Sequence, residues 1–144
     1  MANRTISDVI RDQKILSAES GISVREAARL MAADKVGTLL IVEKEQLIGI
    51  FTERDILNRV VAASLDPDKT RIAGVMTRNP QTIRPDRPVS HALHMMYEGG
   101  FRHMPVAENG VPLGMISIRD ALGQELTEFE SELERRDALT EIIM

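Results

Sequence analysis

Cysteine is absent from this chain, and aromatic residues make up only 3% of it. Without cysteine there is no disulfide scaffold, no Cys-ligated zinc site and no thiol nucleophile. With few aromatics there are few platforms on which nucleic-acid bases stack. No apolar run approaches the roughly 20 residues of a membrane helix. The opening Met1-Ala2-Asn3-Arg4-Thr5-Ile6-Ser7-Asp8 lacks the apolar core of a signal peptide. A soluble, cytoplasmic protein is expected, with neither nucleic acid nor membrane as partner. A P-loop and a nucleophile–base–acid arrangement are also missing, so the chain is expected not to be an enzyme.

What is there is a globular balance over 144 residues, 43% hydrophobic and 28% charged. The net charge of −4 is unevenly placed. Residues 122–144 carry seven acids against Arg135 and Arg136, a segment charge of −5, so the rest of the chain stands at +1. Four lysines and twelve arginines supply the cations of that larger part. Arginine favours planar, bidentate contact with phosphate and carboxylate. The cations form no basic stripe of the kind that follows a nucleic-acid backbone.

The chain repeats itself. Shifting it by 65 residues aligns 14–57 with 79–122 and makes eight pairs identical without a gap. They are Val24/Val89, Ala27/Ala92, Met31/Met96, Glu43/Glu108, Gly49/Gly114, Arg54/Arg119, Asp55/Asp120 and Leu57/Leu122. Chance would supply about two or three and would not align the apolar pattern as well.

Each unit reads in the order β-α-β-β-α. An extended piece (15–18; 81–83) leads into an amphipathic helix. The first helix opens on a Ser23/Glu26 capping box, and Val24, Ala27, Ala28, Leu30 and Met31 make its apolar face. The second opens at Pro88, has Val89, Ala92, Leu93, Met95 and Met96 on its apolar face, and ends at Gly99-Gly100. Two apolar runs then flank a turn, 39–42 with 47–51 and 104–107 with 112–116. Asn109-Gly110 is a strong hairpin signal in the second pair. A second helix follows, 53–64 and from 118 onward. The fold class is α/β, and the two sheets are expected to pack together. Residues 1–70 form the first unit with its N-terminal segment and the linker Asp66-Pro67-Asp68-Lys69-Thr70. Residues 71–124 form the second, and 125–144 an acidic, amphipathic helix.

The richest motif is Gly49-Ile50-Phe51-Thr52-Glu53-Arg54-Asp55, echoed as Gly114-Met115-Ile116-Ser117-Ile118-Arg119-Asp120. Thr or Ser followed three residues later by Asp is an ordinary helix cap. The same place also suits a nucleotide. Free N–H groups and the positive end of a helix favour phosphate, a hydroxyl adds a hydrogen bond, and a carboxylate accepts from a ribose diol. The two readings are compatible and both stay open.

The doubled motif resembles the fingerprint of the cystathionine β-synthase (CBS) domain family. Phe101-Arg102-His103-Met104-Pro105-Val106 is similar to that family's second repeat. The resemblance covers residues 6–122 and implies two tandem CBS repeats packed as a pseudo-two-fold pair, a Bateman module. It also implies a regulatory function: adenosine-containing ligands (AMP, ADP or ATP, less often S-adenosylmethionine or NAD) bound in clefts between the repeats, and a homodimer. Carried onto this chain, Asp55 and Asp120 hold ribose and Thr52 and Ser117 hold phosphate, beside Arg54 and Arg119. Residues around Ser17-Ala18 and Thr82-Ile83 line the adenine pocket. Arg102 and His103 stand where the first unit has Gly37 and Thr38, so the two sites are expected to be unequal.

His91 and His94, three apart on one helix face, form at most a partial metal site, and no metal is expected. The methionines are core filler. In the tail, Leu122, Leu126, Phe129 and Leu133 follow an a/d spacing. That seam packs on its own module, on the same helix of a second subunit, or on another protein. The expectation is a stand-alone sensor module that binds adenosine nucleotides. The alternative is an interaction module with vestigial sites that docks a regulated partner through its tail.

Overall fold

A computed structural model describes residues 4–120 and 129–137. The elements run α1 (Ile6–Ile10), β1 (Ser17–Ala18), α2 (Val24–Asp34), β2 (Thr38–Glu43), β3 (Gln46–Thr52) and α3 (Glu53–Asp55). A π-helical stretch, Ile56–Val61, continues α3. A 3-10 turn (Ile72–Gly74), β4 (Thr77–Arg78), α4 (Val89–Gly99), β5 (His103–Glu108) and β6 (Val111–Ser117) follow. Residues 129–137 are helical. The helix expected from 118 onward falls largely outside the described residues.

Local chemistry explains the elements. Lys44 and Glu45 both take positive φ (50° and 66°) in the two-residue turn between β2 and β3, and Asn109 and Gly110 repeat this (54° and 80°) between β5 and β6. That geometry twists a hairpin in the strands' own sense. Gly100 closes α4 in the left-handed region with φ 72°, and Lys35 does the same for α2 with φ 55°. The capping box expected at α2 is half made: the Ser23 hydroxyl accepts from the Glu26 N–H at 3.1 Å, while the Glu26 carboxylate lies 3.4 Å from that same hydroxyl.

Two cores form, one per unit. The first gathers Val24, Met31, Leu39, Ile41, Phe51, Val60, Ile72 and Met76. The second gathers Ile6, Ile10, Val89, Leu93, Met96, Met104, Val106 and Ile116. These lists show an exchange. The N-terminal α1 belongs to the second core, while 72–76, which follow the linker, belong to the first. β4 accordingly joins the first sheet, whose order is β1-β2-β3-β4, with β5 and β6 paired in the other. Hydrogen bonds repeat across the pseudo-two-fold. Ile6 N–H donates to Arg87 O at 2.8 Å, as Ile72 N–H does to Ile22 O at 3.0 Å. Val89 N–H donates to Arg4 O at 3.0 Å, as Val24 N–H does to Thr70 O at 2.9 Å. Each unit therefore borrows the segment that precedes the other repeat in the chain.

The sheets also meet. Leu39, Ile41 and Phe51 face the helices, yet Leu40 and Ile50, on the opposite face of β2 and β3, are buried too. β3 lies against β6, and Leu47 N–H donates to Gly110 O at 2.8 Å.

The exchanged segments pass very close to one glycine in each unit. A Cβ on Gly49 would stand 2.6 Å from Met76 Sδ and 3.1 Å from Thr77 O; one on Gly114 would stand 2.8 Å from Ile10 Cβ and 2.9 Å from Gln13 Oε1. The Gln13 carboxamide bonds both polar groups of Met115, donating to its carbonyl at 2.6 Å and accepting from its N–H at 2.8 Å. It supplies to β6 the edge pairing that β4 supplies to β3. Gly114→Ala and Gly49→Ala are each expected to cost about 1–3 kcal/mol by overpacking. Gly74→Ala, whose Cβ would meet nothing within 4 Å, is expected to be near neutral. Chemical denaturation of the three variants checks the difference.

Candidate functional site

The strand-to-helix junction of the first unit is built as a reciprocal cap. Thr52 N–H donates to Asp55 Oδ2 at 2.9 Å, and Asp55 N–H donates to the Thr52 hydroxyl at 3.2 Å. Asp55 is buried. Its Oδ1 lies 3.5 Å from Arg59 Nε, and Arg59 also donates to the carbonyls of Val75 and Met76 at 3.2 and 3.0 Å. One turn of helix is thereby tied to the exchanged segment. The π-helical stretch begins directly after this turn; π turns inside helices often mark functional sites. The second junction repeats the cap, with Ser117 N–H to Asp120 Oδ2 and Asp120 N–H to the Ser117 hydroxyl both at 3.1 Å, in a more exposed setting. The capping reading of the motif is thus realised in both units.

A cleft of about 820 Å³ opens beside the first junction. It brings Thr52, Arg54 and Asp55 together with Arg102 and His103 of the second unit. The structure therefore assigns Arg102 to the cleft of the opposite unit's motif, a pairing that no spacing along the chain reveals. Ser117, Arg119 and Asp120 are not part of this cleft and stand at the pseudo-equivalent place. Ser17 and Ala18 form the edge strand β1, paired in parallel with Leu40 and Ile41. Thr82 borders a separate depression of about 440 Å³ with Leu47, Arg84 and Glu108. Ile83 is buried in the second core, where it bridges to Val106. Neither Thr82 nor Ile83 lines the 820 Å³ cleft; the residues just before them, Asn79, Pro80 and Gln81, do so together with Thr77. Sequence reasoning missed these and Arg59. The left-handed Asn79 (φ 48°) followed by Pro80 was the available signal, since that pair forces the chain to turn.

Charge is divided within this region. Arg54, Arg59 and Arg102 line the cleft together with Glu53 and Asp55. Burial holds the His103 imidazole below its usual 6.5; Glu53 and Asp120 oppose that shift, and Arg102 and Arg119 reinforce it. His103 is therefore a neutral ring at neutral pH that reads the charge at both junctions. Thr38, its counterpart in the first unit, is buried, and its hydroxyl has no hydrogen-bond partner among the described residues.

Elsewhere, His94 packs edge-on against Phe129 at a centroid distance of 5.0 Å and lies 3.7 Å from Glu132. Tyr97 meets the same Phe129 ring at 5.5 Å. The described part of the tail thus packs on α4 of its own chain. Leu122 and Leu126 of the expected seam lie outside the described residues. No group of three or more potential metal ligands occurs among the described residues, and no described helix is long and apolar enough to cross a membrane.

The doubled unit, the exchanged segments and the capped junctions together define a tandem-repeat α/β module with an inter-repeat cleft. The CBS domain family model matches residues 6–62 and 72–125, and the chain belongs to that family. It is 37% identical over 131 residues to the CBS domain-containing protein CBSCBSPB3 of Arabidopsis thaliana, covering 90% of this chain and 24% of that protein. The chain thus spans about a quarter of that relative's length. A CBS domain protein of Pyrobaculum aerophilum complexed with AMP superposes with a TM-score of 0.80 at 26% identity, covering 90% of this chain and 99% of the other. The CBS domain pair of protein MJ0100, in complex with 5′-methylthioadenosine and S-adenosyl-L-methionine, gives 0.75 at 28% identity, covering 83% and 93%.

Because His103 binds protons less readily folded than unfolded, stability is expected to be full above pH 6.5. It should fall as pH drops from there toward the lowered folded value. His103→Asn should flatten this loss. Thermal melts of both proteins between pH 8 and pH 5 check it; parallel profiles would remove His103 as the cause.

Proposed function

We propose that the protein is a regulatory module that binds an adenosine nucleotide in the cleft between its repeats. The observation that carries this reading is the convergence of the Thr52/Asp55 junction with Arg102 and His103 in one cleft. Asp55 accepts from the ribose diol, and the Thr52 hydroxyl with the guanidinium groups of Arg54 and Arg102 receives phosphate. The Asp55 carboxylate stays engaged with Thr52 N–H, so capping preorganises the acceptor. Similarity to proteins solved with AMP, 5′-methylthioadenosine and S-adenosylmethionine supports the adenosine class. No step of covalent chemistry is required of these residues; binding itself is the function, and the bound state is what a regulated partner senses.

A ligand at about 100 times its dissociation constant adds roughly 2.7 kcal/mol to folding. For a chain of this size that raises the melting temperature by about 5–10 °C. AMP, ADP or ATP should produce such a rise, and GTP should not. Absence of any rise with millimolar adenosine nucleotides would sink the proposal. Asp55→Ala should weaken AMP about 10- to 100-fold, as expected for loss of a charged acceptor, beyond the ~1 kcal/mol of stability a cap contributes. Calorimetric titration separates the two effects, and wild-type affinity would end the ribose assignment.

We also propose that the module pairs as a homodimer through the helix that follows the cleft. Leu57 and Val61, one turn apart there, are 60% and 65% exposed, a pattern suited to a partner face. Val61→Glu should shift the protein toward monomer by light scattering, and an unchanged mass would place any interface elsewhere.

A further inference from the structure

The two junctions share a motif but not an electrostatic environment. Repeat register pairs Arg102 with Gly37, His103 with Thr38, and Glu53 with Ile118. At the first cleft, the start of the facing strand contributes Arg102. At the pseudo-equivalent place the facing strand begins with Gly37, which contributes no side chain. That vacant position is filled from next door. The Glu53 carboxylate lies over Gly37 so closely that a Cβ there would be 2.8 Å from its carbon and from both its oxygens. The backbone fixes the arrangement, because Glu53 N–H donates to Gly37 O at 3.0 Å. Where one site has the Arg102 guanidinium, the other has no cation at that position, only the Glu53 carboxylate that also borders the first cleft.

The surroundings differ in charge balance as well. Around the first cleft, Arg54, Arg59 and Arg102 outnumber Glu53 and Asp55. Asp120 and Arg119 stand at the second junction, and the pseudo-two-fold that pairs Ile10 with Met76 makes Arg11 and Gln13 the counterparts of Thr77 and Asn79. With Glu53 included, acids and bases balance there, against the basic excess of the first cleft. Beside Gly37, the buried Thr38 hydroxyl has no partner among the described residues, an uncharged group whose hydrogen bond is costly to leave unmade.

Resting on the adenosine reading above, we propose that the two sites divide ligands by charge. The Thr52–Asp55 cleft takes an adenosine ligand through its phosphate. The Ser117–Asp120 site takes an adenosine ligand whose 5′ substituent carries no phosphate. Asp120 accepts from the ribose diol of that ligand, and Glu53 repels a phosphate that would sit at Gly37. Glu53 is the specificity-determining residue, and Gly37 is the residue that lets it reach its place. One module then reads two kinds of adenosine ligand at once.

Calorimetry with AMP and 5′-methylthioadenosine on the full chain tests this. The wild type should bind one equivalent of AMP and, with AMP saturating, still bind one equivalent of 5′-methylthioadenosine. Arg102→Ala should weaken AMP at least about tenfold and leave 5′-methylthioadenosine within about twofold. Glu53→Gln, an isosteric change at an exposed side chain, should admit a second equivalent of AMP. Two equal AMP sites in the wild type, mutual displacement of the two ligands, or an unchanged single AMP site in Glu53→Gln would overturn the division while leaving the adenosine reading intact. Failure of both ligands to bind the wild type would overturn both.

Discussion

The cleft depends on how closely one chain segment crosses another at Gly49 and Gly114. At Gly49 the crossing segment carries Met76 and Thr77, and at Gly114 it carries Ile10 and Gln13. A side chain at either glycine would push that segment off the sheet. These segments are the ones each unit borrows, so the crossings join two cores that are otherwise separate. Thr77 and residues 79–81 continue from the Gly49 crossing to form one wall of the cleft. The motif begins with glycine because that position must admit the crossing segment, Met76 and Thr77 O at Gly49 and the side chains of Ile10 and Gln13 at Gly114, while the residues after it do the capping.

From this constraint the rest of the site follows. With β4 held against β3, Arg59 reaches the carbonyls of Val75 and Met76 and comes within 3.5 Å of Asp55. The acceptor carboxylate is thereby held from two sides, by its own helix cap and by an arginine anchored to the crossing segment. Packing β3 against β6 sets the start of β5 beside the first junction, which is how Arg102 and His103 enter the cleft. His103 then lies within the field of both junctions, its ring kept neutral by burial.

Much of the architecture was legible because it rests on local chemistry. Asn109-Gly110 marks a turn that needs positive φ, and the alternation around it is a hairpin whatever surrounds it. The apolar face of α4 follows from Val89, Ala92, Leu93 and Met96 at helical spacing, and all four are buried. The Thr52/Asp55 and Ser117/Asp120 caps join residues only three positions apart. The illegible parts are non-local. Nothing near Ile6 and Ile10 says that they complete the core formed by residues 83–116, since an apolar pair on a short helix fits either unit equally well. Ile83 bridges to Val106 with its side chain in the core, and the preceding turn at Asn79-Pro80 lines the cleft, a division that no local signal at Thr82-Ile83 gives. Gly37 looks like a gap in the second site until the structure shows the Glu53 carboxylate lying over it.

The sequence by itself determined two copies of one β-α-β-β-α unit, the caps at both junctions and membership of a recognisable repeat family, because periodicity, turn residues and capping spacings act within a few residues of each other. Tertiary structure alone decided which terminal segment completes which unit, which motif faces Arg102, and which charge stands at each site. Those outcomes depend on distances between residues separated by tens of positions, such as Gln13 with Met115 and Met76 with Gly49. Such distances arise only when two half-covered sheets bury their remaining apolar faces, Leu40 and Ile50 among them, against each other.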